Sequence, residues 1–132
     1  MFYDSEATDP SAKGLSFNPF KALVAPRPIG WITTLAEDGT VNLAPYSFFQ
    51  AVADSPDVVM FSATPTLTKT DKGIRFGSDR KHSEHNAVTT GEFVCNMVSQ
   101  ELSEAMNQTS AHLPASQSEV EFAGLELSLI HI

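Results

Sequence analysis

The chain has 132 residues, enough for one domain with a modest core. Its net charge of −8 excludes general nucleic-acid binding, which needs a basic face, and no apolar run reaches the ~20 residues of a membrane-spanning helix. The single cysteine, Cys95, excludes an intrachain disulfide and a Cys-based zinc site, and its alternating apolar setting predicts a buried small side chain.

Residues 1–14 are polar and acidic, with no basic or apolar stretch of the kind a signal peptide carries, and predict a loose lead-in to a domain over 15–132. The absence of a targeting signal fits the cytoplasm. Asn18-Pro19 predicts a helix start, stopped by Pro26 and Pro28. From Ile29 the pattern turns to strand, with two β-rich runs joined at Glu37-Asp38-Gly39, a strong hairpin signal. Pro45 makes the second run irregular, or ends it at an edge or bulge. Asp57 to Ala63 is apolar enough to predict a strand buried on both faces.

Thr64 to Arg80 shows no periodicity and predicts a long loop. Ser83 is the expected N-cap of a helix ending at Gly91, followed by a strand over EFVCNMVS. Gln100 to Gln108 predicts a helix with Leu102, Ala105 and Met106 on one face, Thr109 to Glu121 a loop, and Leu125 to Ile132 a last strand. Hairpins with short helices inserted predict a mainly β, antiparallel small barrel rather than a doubly wound sheet.

There is no GxGxxG, P-loop or GxSxG. His82 and His85 have metal-ligand spacing, but no cysteine pair or carboxylate motif accompanies them, and they are expected to face solvent. Five of the eight basic residues, Lys69, Lys72, Arg75, Arg80 and Lys81, fall in one short stretch. In an acidic protein such a cluster suits either a local anionic ligand or a solvated loop. Thr33, Thr34, Asn42, Ser47 and Ser62 are short polar groups at strand positions that can hydrogen-bond a planar heterocycle. Lys81 and Ser83 meet at a helix start, where orphan N–H groups and the helix dipole favour an anion. Each feature also has a plain structural reading: strand Ser and Thr are good β-formers, and Ser83 serves as a cap.

Taken in order, PRPIGWITTL from Pro26, NLAPYSFF from Asn42, Lys81-His82-Ser83-Glu84-His85-Asn86, TGEFVCN from Thr90, MNQTS from Met106 and EFAGL from Glu121 resemble the flavin reductase-like domain family of FMN-binding split barrels. The resemblance covers roughly residues 15–127. His82 stands where the family has Asp, and LELSLIHI does not resemble the family's continuation into further barrel strands. The resemblance implies a Greek-key-like split barrel, incomplete in this chain and dependent on further sequence or a partner copy.

It implies FMN as cofactor, NAD(P)H as co-substrate delivering hydride to the flavin, a small-molecule or flavin electron acceptor, and a homodimer. Thr33 and Thr34 would lie beside the isoalloxazine. Asn42, Ser47 and Phe48 would line the ring and ribityl region, and Phe61, Ser62 and Ala63 would border it. Lys81 and Ser83 would hold the phosphate, with Asn86 supporting that helix turn. Arg27 is either a pocket-rim residue or a structural ion-pair partner. No catalytic side chain is implied, because the flavin carries the chemistry. A flavin module without NAD(P)H activity, or an interaction domain that has lost the cofactor, would share these sites.

Overall fold

The computed structural model describes residues 19–64, 67–70, 73–76 and 80–127. The lead-in, Asn18 and the stretch 128–132 lie outside these residues, as do the side chains of Lys69, Lys72 and Arg75. The chain is mainly β with short helices. A short helix α1 (Pro19–Leu23) precedes the hairpin of β1 (Gly30–Leu35) and β2 (Val41–Tyr46). The two strands pair antiparallel from Gly30↔Tyr46 to Leu35↔Val41. Gly39 takes φ 87° in the turn, a backbone conformation that favours glycine.

A second hairpin, β3 (Phe49–Asp54) and β4 (Asp57–Phe61), and a third, β5 (Leu67–Thr70) and β6 (Gly73–Phe76), follow. Helix α2 (His82–Thr90) closes at Gly91 in the left-handed region, and its N–H returns to the Ala87 carbonyl. Strand β7 (Val94–Asn96) then pairs with the other side of β1, giving the sheet order β2-β1-β7. A single 3-10 turn over Gln100–Leu102 leads into α3 (Ser103–Gln108), and α4 (Glu119–Phe122) follows.

β1 is central and covered on both faces, so its burial does not alternate. Ile32 is wholly buried, and Trp31, Leu43 and Val120 form a small core flanked by Val41, Val98, Met106 and Leu125. The indole N–H of Trp31 donates to Thr109 Oγ1 at 2.8 Å. Thr109→Val removes that acceptor and leaves a buried donor unpaired, a loss expected to cost about 1–3 kcal/mol. Urea unfolding followed by indole fluorescence checks this, since the chain holds one tryptophan.

Gly30 is required by close approach rather than by φ. A Cβ there would sit 2.5 Å from Phe49 Cδ2. Gly30→Ala is therefore expected to destabilise by about 1–3 kcal/mol through overpacking, read as a fall in melting temperature.

Among the described residues β2 is an edge strand, and α4 protects it. Glu119 Oε2 accepts the outward Leu43 N–H at 3.2 Å, and Ser118 Oγ donates to the Val41 carbonyl at 2.7 Å. Two side chains thus replace a missing neighbour strand. Pro45 fits the same strand for a related reason. Its nitrogen falls on the outer side with that of Leu43, where β1 needs no donor.

Several expectations need correction. The strand from Asp57 is not buried: among the described residues β4 pairs only with β3, Val58, Val59 and Met60 are 40–50% exposed, and Val52 on β3 is 53% exposed. The stretch Thr64 to Arg80 is not all loop, since it contains the β5–β6 hairpin. β3 gave no turn signal of its own, because Phe49–Asp54 follows β2 after two residues. The strand over EFVCNMVS shortens to Val94–Asn96, and Cys95 is half-buried rather than buried. The helix over Gln100 to Gln108 begins as the 3-10 turn. Thr109 to Glu121 is not entirely loop but contains the start of α4. No strand covers Leu125 to Leu127.

A candidate anion- and ring-binding groove beside the start of helix α2

A groove of about 880 Å³ lies between β2, the start of α2 and the segment after α3. Its cations are Lys21, Arg27, Arg80 and Lys81, joined by His82 and His112. Phe48, Tyr46 and Pro45 give it an aromatic and apolar side, and Ser47, Ser62, Thr64 and Ser110 add hydroxyl-bearing residues. A smaller cavity of about 290 Å³ on the other side of α2 is lined by Glu37 and Asp38, the wrong charge for an anion.

Arg27 is a rim residue of the larger groove. Its Nη1 donates to the carbonyls of Lys21 at 2.6 Å and Val24 at 2.7 Å, tying down the end of α1. Its guanidinium carbon lies 5.6 Å from the Phe48 ring centroid, a cation–π contact that holds a flat surface at the groove. Arg27 Nε is buried without a hydrogen-bond partner among the described residues.

The N-cap of helix α2 lies two residues earlier than the sequence suggests. Lys81, in extended conformation, is the N-cap, and Ser83 is not. The first intrahelical bond runs from His85 N to the Lys81 carbonyl, so the N–H groups of the first turn remain available beside the Lys81 ammonium. Arg80 pairs with Glu84 at 3.5 Å on the exposed side of the same turn. His82 and His85 are exposed.

The Ser83 hydroxyl points inward because Asn42 waits there. Ser83 Oγ donates to Asn42 Oδ1 at 2.7 Å, Thr34 Oγ1 donates to the same oxygen at 3.4 Å, and Asn86 Nδ2 donates to Thr34 Oγ1 at 3.3 Å. Asn42 Nδ2 donates to Glu119 Oε2 at 2.8 Å. All five side chains are buried, which makes the pairing necessary: an unpaired polar group there would be costly.

Six of the sequence-selected residues therefore line the groove: Asn42, Ser47, Phe48, Ser62, Lys81 and Ser83. Thr34 and Asn86 stand behind that wall, in the network. Asn86 holds Thr34 through its side chain rather than the helix turn, although its carbonyl accepts from Thr90 Oγ1 at 2.9 Å. Thr33 lies on the opposite face of β1, where its Oγ1 accepts from Asn96 Nδ2 at 2.7 Å. Phe61 packs between Tyr46 and Phe93, with ring centroids 5.0 Å from each, and Ala63 is half-buried just beyond it. Sequence reasoning missed Glu119 and Tyr46. Burial pushes the Tyr46 phenol up from its ordinary pKa, with a hydrogen bond to Ser83 acting in the opposite sense, so the phenol is protonated at neutral pH.

The model of the flavin reductase-like domain matches residues 23–130. The chain belongs to the flavin reductase-like domain family. An uncharacterized protein of Aquifex aeolicus is 43% identical over 103 residues, which cover 78% of this chain and 48% of that protein. The chain spans about half the length of the curated relatives it matches. Among solved structures, nitrilotriacetate monooxygenase component B from Bacillus cereus superposes with TM-score 0.74 at 27% identity, covering 98% of this chain and 59% of that one. A protein with a split barrel domain from Shewanella frigidimarina superposes with TM-score 0.68 at 21% identity, a likeness of fold. The three small sheets of this flavin reductase-like chain are thus part of a split barrel.

Proposed function

We propose that this chain contributes the FMN site of an NAD(P)H-dependent flavin oxidoreductase that passes electrons to a small-molecule or flavin acceptor. One observation carries the reading. In a flavin reductase-like domain, a groove large enough for a cofactor joins a cationic end at Lys81 and Arg80 to an aromatic side at Phe48 and Tyr46. FMN has that same division into an anionic phosphate and a planar ring. The unpartnered N–H of Arg27 and the free N–H groups of the first turn of α2 fit an oxygen-rich ligand.

Bound flavin supplies the two-electron and one-electron chemistry. The chain's own residues bind and orient. Lys81 and the helix start neutralise phosphate. Phe48, held by Arg27, offers a flat face to a ring, and Ser47 and Ser62 offer hydroxyl groups at its edge. A cytoplasmic location, where NADH and NADPH are supplied, is part of the same proposal. The exposed apolar β3–β4 hairpin supports a homodimer, in which a second copy covers Val52, Val58, Val59 and Met60.

Anaerobic titration with NADH and with NADPH, followed at the visible flavin band of the FMN-loaded protein, tests the activity. Bleaching by either nucleotide supports it. Bound flavin that neither nucleotide bleaches leaves a flavin-binding electron carrier instead.

A further inference from the structure

One acceptor-only group sets the direction of every hydrogen bond around Asn42. Glu119 Oε2 receives the Leu43 N–H and Asn42 Nδ2. A carboxylate oxygen that takes both cannot donate, so the amide nitrogen of Asn42 must face Glu119 and the amide oxygen must face away. On that side Asn42 Oδ1 accepts from Ser83 and Thr34, which fills its two lone pairs. The one hydroxyl hydrogen of Ser83 is therefore directed at Asn42. From Ser83 through Asn42 to Glu119, each hydrogen is committed to the next acceptor, so Ser83 turns only its lone pairs to the groove.

We propose that Glu119 is a positioning residue which, acting through Asn42, makes Ser83 an acceptor wall of the groove, suited to ligand hydroxyl or N–H groups and unsuited to phosphate. The inference rests on the flavin reading and refines it. The ribityl hydroxyls are the ligand groups this wall takes, while phosphate is held by Lys81 and the helix start. Ser83, the phosphate ligand implied by family resemblance, has no hydrogen to offer one.

Two readouts test this. The first is the ratio of FMN to riboflavin affinity, measured by flavin fluorescence. Ser83→Ala is expected to weaken both flavins by the same factor and leave the ratio within about twofold, whereas Lys81→Ala lowers it about tenfold. A tenfold fall of the ratio in Ser83→Ala overturns the proposal, because it makes Ser83 a phosphate donor. The second needs no flavin. In nitrogen-15 NMR of the ligand-free chain, the Asn42 side-chain amide protons are expected to be protected from solvent exchange, and to lose that protection in Glu119→Gln, where either end of the new amide can face Asn42. Asn42 protons that exchange as fast as those of a surface asparagine, or that are unmoved by Glu119→Gln, overturn it. If neither flavin binds the wild-type chain, the flavin reading falls and the amide readout alone decides the polarity.

Discussion

Glu119→Leu is expected to be the most destabilising single change at the site, lowering unfolding free energy by about 3 kcal/mol. The carboxylate is 4% exposed and serves two buried donors at once, the Leu43 backbone N–H and Asn42 Nδ2. Leucine fills the space but accepts neither, and a buried donor left unpaired costs about 1–3 kcal/mol. The damage spreads for a structural reason. Without Glu119, β2 regains an open edge, and the amide of Asn42 loses the group that orients it against α2. A domain is stable by only about 5–15 kcal/mol, so the expected loss is a large fraction. Urea unfolding of the two proteins measures it. A loss below about 1 kcal/mol would mean that water reaches both donors. Glu119→Gln, which retains one acceptor oxygen, is expected to fall between the two.

Lys81→Ala is expected to weaken FMN about tenfold or more while changing riboflavin, which lacks the phosphate, much less. Hydrogen bonds to charged groups are worth about 1.5–3 kcal/mol, and the ammonium stands where the N–H groups of the first turn of α2 are also free. Arg80, the other cation at this end, makes up only part of the loss, because its guanidinium is shared with Glu84 on the exposed side. The same difference between the flavins should shrink as salt is raised, since the groove is open to solvent and its charges are screened. Equal loss for FMN and riboflavin would remove the phosphate from this end of the groove.

The parts legible in the sequence are those with local causes. Asp38-Gly39 marked the turn between β1 and β2 because only a few residues tolerate φ 87°. Gly91 marked the end of α2 for the same reason. Pro45 was read as making β2 irregular or ending it at an edge or bulge, and the structure favours the edge, with its nitrogen facing outward on β2. The order of motifs was enough to place the chain in its family.

What escaped notice depends on contacts between distant residues. Glu119 meets Asn42 across 77 positions, from a segment read as loop, and a lone Glu in a short polar stretch carries no local signal. Thr33 and Thr34 look equivalent in a string of letters. In a strand they face opposite ways, so one meets Asn96 and the other Asn42. Ser83 has the residue type of an N-cap, but the cap is Lys81, because burial against Asn42 fixes the serine inside the helix. The apolar run of β4 predicted a buried strand. Among the described residues it pairs with β3 alone, and hydropathy cannot report how many neighbours a strand acquires.

The central claim is that a flavin phosphate and ring occupy the groove beside α2. Adding FMN to the nitrogen-15-labelled chain and following backbone amide shifts tests it most directly. The account predicts saturable shifts concentrated at Ser47, Phe48, Ser62, Lys81, Ser83 and Ser110, with inorganic phosphate alone reproducing the changes at the start of α2. Saturable shifts confined to the Glu37–Asp38 side of α2 or to the β3–β4 hairpin, or no shifts at all as FMN is added in large excess over the chain, would contradict it.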